Sequence, residues 1–325
     1  MRKFYGLLLV AAIAFVSCQD SESTPEEVLN LDEGPEIVGT SMARSESQCF
    51  SMEVLQQNIE KDPSLLARMN NIEDQTQKYI EEGNFRRLVN GSIQIPVVFH
   101  VIYRTSSENL PLSVLQAQID ALNEDFNLQN PGRNTIPSEF ALVEANVGIS
   151  FVIEQVIRVQ NTKKRSWRPD DSMKFSSSGG SNVVNPQEFL NVWIVNSMPY
   201  RGGQILGYAQ FPGGSLSTDG VVLGANFVGG TDRTATHEVG HWLNLRHIWG
   251  DGGCGVDDFV ADTPLSDGPS RGCPSYPTVS CGTNDMTMNF MDYSSDSCLN
   301  MFTVGQKQRM DAVFAPGGFR ATMAD

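Results

Sequence analysis

Three of the chain's four histidines fall between positions 237 and 247, in the run His237-Glu238-Val239-Gly240-His241 followed by His247. On a helix, residues i and i+4 lie on one face, so His237 and His241 can aim both imidazoles at a single ion. Zinc suits neutral imidazole, and a catalytic zinc takes three protein ligands and keeps a fourth position for water. Glu238 stands beside the first ligand, where it can accept a proton from such a water, whose pKa the metal lowers towards about 7. His247 is the natural third ligand, yet a helix continued for six more residues would turn by about 600° and carry it off the metal face. The helix must therefore end and the chain must turn back. Asn244 is the expected turning point, since Asn tolerates left-handed backbone better than most residues with a side chain.

Around this centre the pattern is that of an α/β protein. Ser92–Tyr103 (SIQIPVVFHVIY) is β-rich, with Ile93, Ile95, Val97, Phe99 and Val101 on one face and Pro96 marking an edge or a bulge. Ser113 and Gln116 form a capping box before a helix striped by Leu115, Ile119, Leu122 and Phe126. Strands are expected at Ile149–Val159, Phe189–Asn196, Gly207–Phe211 and Gly220–Phe227, and the histidine helix from about Asp232 to Asn244. Some fifty residues rich in Gly, Pro, Asp and Cys follow; Thr303 and Gln306 then cap a last helix that stops before Pro316. Upstream, residues 50–82 carry helical patterning and end at Gly83-Asn84, just before Arg86-Arg87.

The N-terminus reads as an export signal. Arg2 and Lys3 precede the 13-residue run Phe4–Val16, too short to span a bilayer. Val16-Ser17-Cys18 resembles the lipobox of bacterial lipoproteins, which implies acylation of Cys18 and a stable tether. The following residues to Ser47 are acidic, Ser-rich and free of aromatics, the composition of a disordered stalk. The formal net charge of −15 becomes −17 once Arg2 and Lys3 are removed. That excess speaks against nucleic acid and against electrostatic docking on anionic lipid. Six cysteines in an exported chain point to an oxidising compartment. Apart from Cys18 and Cys49, the cysteines at 254, 273, 281 and 298 allow three pairings.

HEVGHWLNLRH (His237–His247) resembles the metzincin signature HExxHxxGxxH, with Asn244 in place of the usual Gly. Met288-Asn289-Phe290-Met291-Asp292-Tyr293 resembles the Met-turn as the pappalysin family writes it. The similarity runs from about Ile93 to Phe314 and is strongest to the ulilysin-like bacterial group. It includes the IPVVFHVIY strand, a helix ending LNEDF, and Asp257-Asp258-Phe259-Val260-Ala261-Asp262-Thr263-Pro264. The resemblance implies a metzincin-type zincin: a mixed twisted sheet, an active-site helix above the cleft, a loop-rich disulfide-linked lower subdomain and a helical pro-segment. It implies zinc on His237, His241 and His247, Met291 beneath the metal, and the Tyr293 phenol turned towards it to stabilise an oxyanion.

The same resemblance implies disulfides Cys254–Cys281 and Cys273–Cys298, and structural calcium near Asp258 and Thr263, hard oxygen donors in a tight loop. It makes Cys49 a latency switch whose thiolate reaches the zinc. Cleavage around Arg86-Arg87 would then release the enzyme from both inhibitor and lipid. Ulilysin-like enzymes cut beside basic residues, using an acid just before the last cysteine; here Ser297 holds that position and Asp296 precedes it. The expected organisation is a signal at 1–17, a lipidated stalk at 18–49, a pro-segment at 50–87 and a metallopeptidase domain at 88–325. The expected function is a zinc endopeptidase of extracellular proteins or peptides, inhibited by its own pro-segment and touching membrane only through its lipid. The rival reading is a surface-anchored binding lipoprotein on an inactive zincin fold.

Overall fold

The computed structural model describes residues 48–83 and 92–324, all within one unit running from Ala43 to Asp325. The signal, the stalk with Cys18, and Arg86-Arg87 lie outside the described residues. Described first is a short strand, β1 (Gln48–Cys49), followed by helices α1 (Ser51–Lys61) and α2 (Ser64–Glu82). The two helices part at Asp62-Pro63, because a proline there cannot donate into a continuing helix. Gly83, at φ +61°, closes α2 in the left-handed conformation.

The sheet is built from β2 (Ile93–Tyr103), β3 (Ile149–Gln160), β4 (Leu190–Val195), β6 (Gly203–Ala209) and β7 (Val221–Gly224), with β5 (Pro199–Tyr200) hairpinned onto β6. The order across it is β1-β6-β7-β4-β2-β3. Neighbours run parallel except β6 against β7. Pro96 sits where β2 pairs only with β3: pairing with β4 begins at Val97, and a register shift falls between Val97 and Val98. The missing N–H is thus placed where no second neighbour needs it.

At the centre of the sheet, in β2, β4 and β7, both faces are buried, which is why β2 alternates cleanly only at its start; edge strand β3 is largely exposed. One face packs Ile95, Val97, Phe99 and Val101 against α3 (Leu112–Phe126), through Leu115, Ile119, Leu122 and Phe126, and against α4 (Thr234–Trp242). The other face packs Ile102, Trp193, Tyr208 and Val222 with Phe50 and Val54, so β1 and α1 contribute to a core of the molecule. Helix α3 begins two residues earlier than its sequence suggests. Pro111 takes the N-cap in extended backbone and Ser113 falls inside the first turn, so no Ser113 box forms. The Thr303–Gln306 box is present and opens α5 (Val304–Ala312), against which α2 packs.

From Leu243 to Thr303 the described chain has neither α-helix nor strand. After a buried start at Leu243–Trp249, its first part is largely exposed and is joined by Cys254–Cys281, with Cα atoms 5.4 Å apart, and by Cys273–Cys298, 5.7 Å apart. Its second part is apolar: Met286, Phe290, Met291, Met301 and Phe302 are fully buried and continue the main core. Crosslinks and burial therefore hold different stretches of the same loop region.

Candidate active site and metal centre

Every residue of α4 is buried. Ala235, Val239 and Trp242 enter the main core, while His237 and His241 stand one turn apart on another face. The helix ends at Leu243, and Asn244 takes φ +74°, the left-handed turn that redirects the chain. Leu245 N–H donates to the Gly240 carbonyl at 2.9 Å, and the Leu245 carbonyl accepts from His241 Nδ1 at 2.8 Å. The returning chain so braces the helix it has left, and it brings His247 beside it.

The three rings converge. Nε2 of His241 lies 3.1 Å from Nε2 of His237 and 3.1 Å from Nε2 of His247. Each Nδ1 faces an obligate acceptor: the Phe290 carbonyl at 2.7 Å for His237, Leu245 for His241, and Asp251 Oδ1 at 2.6 Å for His247. A neutral ring that donates from Nδ1 carries a lone pair on Nε2. Three lone pairs pointed at one spot repel unless a cation lies between them, and an all-imidazole donor set with tetrahedral room suits zinc. The Cys49 sulfur belongs to the same cluster, whose donor atoms all lie within 4.8 Å of one another. Burial, reinforced by the neighbouring imidazole of His247, pushes His237 down to about 3 and His241 well below the usual histidine range, so both rings are neutral and free to ligate.

Glu238 is fully buried beside this cluster. Its Oε2 accepts from the Ser51 hydroxyl at 2.7 Å and from the Cys49 thiol at 3.5 Å, while Oε1 accepts from none of the described residues. Burial raises its carboxyl to about 8, with those two hydrogen bonds opposing the shift, and burial likewise raises the Cys49 thiol. Strand β6 approaches Glu238 closely enough that a Cβ on Gly207 would lie 2.9 Å from the Val222 carbonyl and 3.1 Å from Glu238 Cγ. Met291 lies beneath α4, its sulfur where a Cβ on Gly240 would fall. The Tyr293 ring meets His247 edge-on at 5.0 Å, and its hydroxyl donates to the Cys49 carbonyl at 3.4 Å. Trp249 stacks on His247, centroids 4.3 Å apart and planes within 5°.

A cavity opens next to His237 and Glu238, lined by Leu206, Arg233, Thr234, Asp292, Ser294 and Asp296 among others. Asp296 is in its wall; Ser297 is not, its hydroxyl lying 3.6 Å from Cys273 Sγ and 3.5 Å from Cys298 Sγ. Below α4, the Asp219 carboxylate takes both Arg320 nitrogens, at 2.8 and 3.0 Å, and Arg320 Nε donates to the Trp242 carbonyl at the helix C-terminus. In the loop after α4, Asp258 and Thr263 meet: the Thr263 hydroxyl is 2.9 Å from both Asp258 oxygens and from the Val260 carbonyl. Burial raises Asp258 to about 7. Val260 N–H also donates to Asp258 Oδ1 at 3.1 Å and Thr263 N–H to the Val260 carbonyl at 3.4 Å, so the loop gathers these oxygens into one small hydrogen-bonded knot.

Sequence reasoning overlooked Ser51 and Asp251, and also the grip of α2: Glu73 binds Arg309 through two 2.7 Å bonds, and Arg68 Nε donates to the Gly213 carbonyl at 2.8 Å. Asp251 could have been suspected from its place four residues after His247. Nothing local marks Ser51, which lies 187 residues from Glu238.

Comparison with known proteins agrees with this geometry. Residues 180–315 match the peptidase family described as pregnancy-associated plasma protein-A. An extracellular metalloprotease of Arthroderma benhamiae is 34% identical over 249 residues, covering 71% of this chain and 76% of the relative. Extracellular metalloprotease 1 of Coccidioides posadasii is 34% identical over 252 residues, covering 72% and 81%. Among solved structures, a promirolysin variant from Tannerella forsythia aligns with TM-score 0.76 and 37% identity over 85% of this chain and 96% of its own. Mature mirolysin from the same organism, in complex with a cleaved peptide, aligns with TM-score 0.68 and 39% identity over 71% and 95%.

Proposed function

The chain belongs to the pregnancy-associated plasma protein-A (pappalysin) family of metalloproteases, and we propose that it is an exported zinc endopeptidase held latent by its own residues 48–83. The observation that carries this reading is the set of three imidazoles, each anchored at Nδ1, with their free nitrogens converging beside the buried carboxylate of Glu238. His237, His241 and His247 would hold the zinc. The metal supplies Lewis acidity for a peptide carbonyl and for the attacking water. Glu238 takes the proton of that water and passes it to the leaving amine nitrogen. The Tyr293 phenol donates to the carbonyl oxygen as negative charge gathers on it, and Met291 packs the floor.

In the latent chain each of these groups has a partner from the N-terminal segment. Ser51 and Cys49 hold Glu238, the Cys49 carbonyl takes the Tyr293 phenol, and the Cys49 sulfur sits among the histidine nitrogens as a fourth donor. The extensive likeness to a pro-form supports latency. Cleavage near Arg86-Arg87 would release the inhibitor. With Cys18 lipidated, the same cut would free the enzyme from its membrane, so only the latent form would be tethered. The acidic cavity wall at Asp292 and Asp296 favours substrates with a basic side chain beside the cut bond. The Asp258 carboxyl, the Thr263 hydroxyl and the Val260 carbonyl gather hard oxygen donors in one tight loop, which suits calcium.

The test is digestion of a diverse peptide library by wild type and Glu238→Ala after the pro-segment is trimmed, with zinc and calcium supplied and cuts read by mass spectrometry. The variant should bind zinc as wild type does and lose at least about a hundredfold in hydrolysis. Absence of cleavage by trimmed, zinc-loaded wild type would overturn the endopeptidase reading in favour of a binding lipoprotein.

A further inference from the structure

We infer that Asp251 is a positioning residue for metal binding: its carboxylate fixes the tautomer of His247 and which way round its ring faces, and so sets zinc affinity. The inference rests on the reading of the three histidines as a zinc site. His237 and His241 donate from Nδ1 to backbone carbonyls of buried chain, whereas His247 alone relies on a side chain, Asp251 Oδ1 at 2.6 Å. Trp249 stacks flat on the His247 ring, and stacking fixes the plane of an imidazole but is satisfied equally well after a 180° flip about Cβ–Cγ. Such a flip would put carbon where each ring nitrogen now stands and turn Nε2 away from the other two nitrogens. The hydrogen bond to Asp251 opposes this flip, and it also forces the proton onto Nδ1 and the lone pair onto Nε2.

The backbone gives a second, independent indication. Asp251 holds φ +62°, left-handed backbone that costs a residue with a side chain roughly 1 kcal/mol. Gly250 and Gly253, in the same loop, hold φ +61° and +70° as glycines. A glycine would suit position 251 better on conformational grounds, so the carboxylate persists there against local preference. The loop is fixed three residues later by Cys254–Cys281, and the Asp251 side chain, 24% exposed, has no place in the core.

That combination permits a test in which fold and metal separate. Full-length Asp251→Gly, Asp251→Ala and Asp251→Asn are compared with wild type for zinc affinity, by competition with a chromophoric chelator, and for thermal unfolding of the metal-free protein. Asp251→Gly should bind zinc ten- to a hundredfold more weakly while its metal-free form unfolds no earlier than wild type. Asp251→Ala should lose affinity similarly, and Asp251→Asn, which keeps an acceptor oxygen, should recover most of it. The inference falls if Asp251→Gly binds zinc within twofold of wild type, or if Asp251→Asn binds no better than Asp251→Ala. Failure of wild type itself to bind zinc would overturn the site reading beneath it.

Discussion

At the scale of single residues, the site depends on how closely atoms are allowed to approach. Gly240 separates the two helical histidines' turn from Met291, whose buried sulfur occupies the space a Cβ would need. Gly240→Ala gains about 1 kcal/mol of helix propensity, but a methyl forced into a packed core costs about 1–3 kcal/mol. With Met291 fully buried and unable to yield, the clash should win. The denaturation midpoint is expected to fall, and to recover in part when Met291→Ala is added. Stability equal to or above wild type in Gly240→Ala would show that the two elements are not in contact. Some of this residue-level detail was legible in advance. The spacing of His237, Glu238 and His241 states its own geometry, and the need for His247 to return made Asn244 the turning point, where the backbone is indeed left-handed. Ser51 and Glu73 were not legible, because their importance comes from partners 187 and 236 residues away.

At the scale of elements, β1, α1 and α2 grip the rest of the chain at several separated places. β1 pairs with β6, the Ser51 hydroxyl accepts from Ala209 N–H at 2.8 Å while donating to Glu238, and α2 holds α5 through Glu73 and Arg309. Ser51→Ala removes both hydroxyl bonds, each worth about 1 kcal/mol. Uncut Ser51→Ala should therefore hydrolyse a reporter peptide several-fold faster than uncut wild type. Glu73→Ala leaves Arg309 buried without its carboxylate and should speed loss of the cut segment, measured by its retention on gel filtration after cleavage. No change in either would mean that latency rests on Cys49 alone. The loop holding Asp258 and Thr263 supplies a separate prediction. Calcium at a hundred times its dissociation constant adds about 2.7 kcal/mol to a folded state that binds it, so the unfolding temperature should rise by several degrees. Asp258→Asn should abolish that rise; an equal rise in the variant would place the ion elsewhere. The helix limits show where local signals stop: the Thr303–Gln306 box forms, while Pro111 pre-empts the Ser113 box because its fixed φ already suits the start of α3.

At the scale of the whole molecule, the centre of the sheet is covered on both faces, and its hidden polar groups couple stability to pH. His100 in β2 lies across from Trp193 in β4 and stacks on it at 4.8 Å; its Nδ1 takes the Ser181 hydroxyl at 2.7 Å and its Nε2 donates to Asn191 at 2.9 Å. Burial lowers its pKa from 6.5 to about 4, the bond to Asn191 opposing the shift. Between those values the unfolded chain takes up a proton that the folded one refuses. The contribution is therefore complete above pH 6.5 and lost as pH falls towards 4, by about 3 kcal/mol. Metal-free His100→Gln should lose about that much less stability than wild type between pH 7 and pH 4 in denaturant titrations; equal losses would remove His100 from the account. Strand patterning revealed five of the sheet's strands but neither the two-residue β1 and β5 nor the order, since pairing partners are chosen by distant chain. Order matters in another sense as well. Arg320, which closes the C-terminus of α4, lies 78 residues beyond Trp242, while Cys49 and Ser51 precede Glu238 by more than 180. A ribosome delivers the inhibitor first and the last brace of the active-site helix long afterwards. At no moment of synthesis does a finished cleft exist before the segment that fills it has been made.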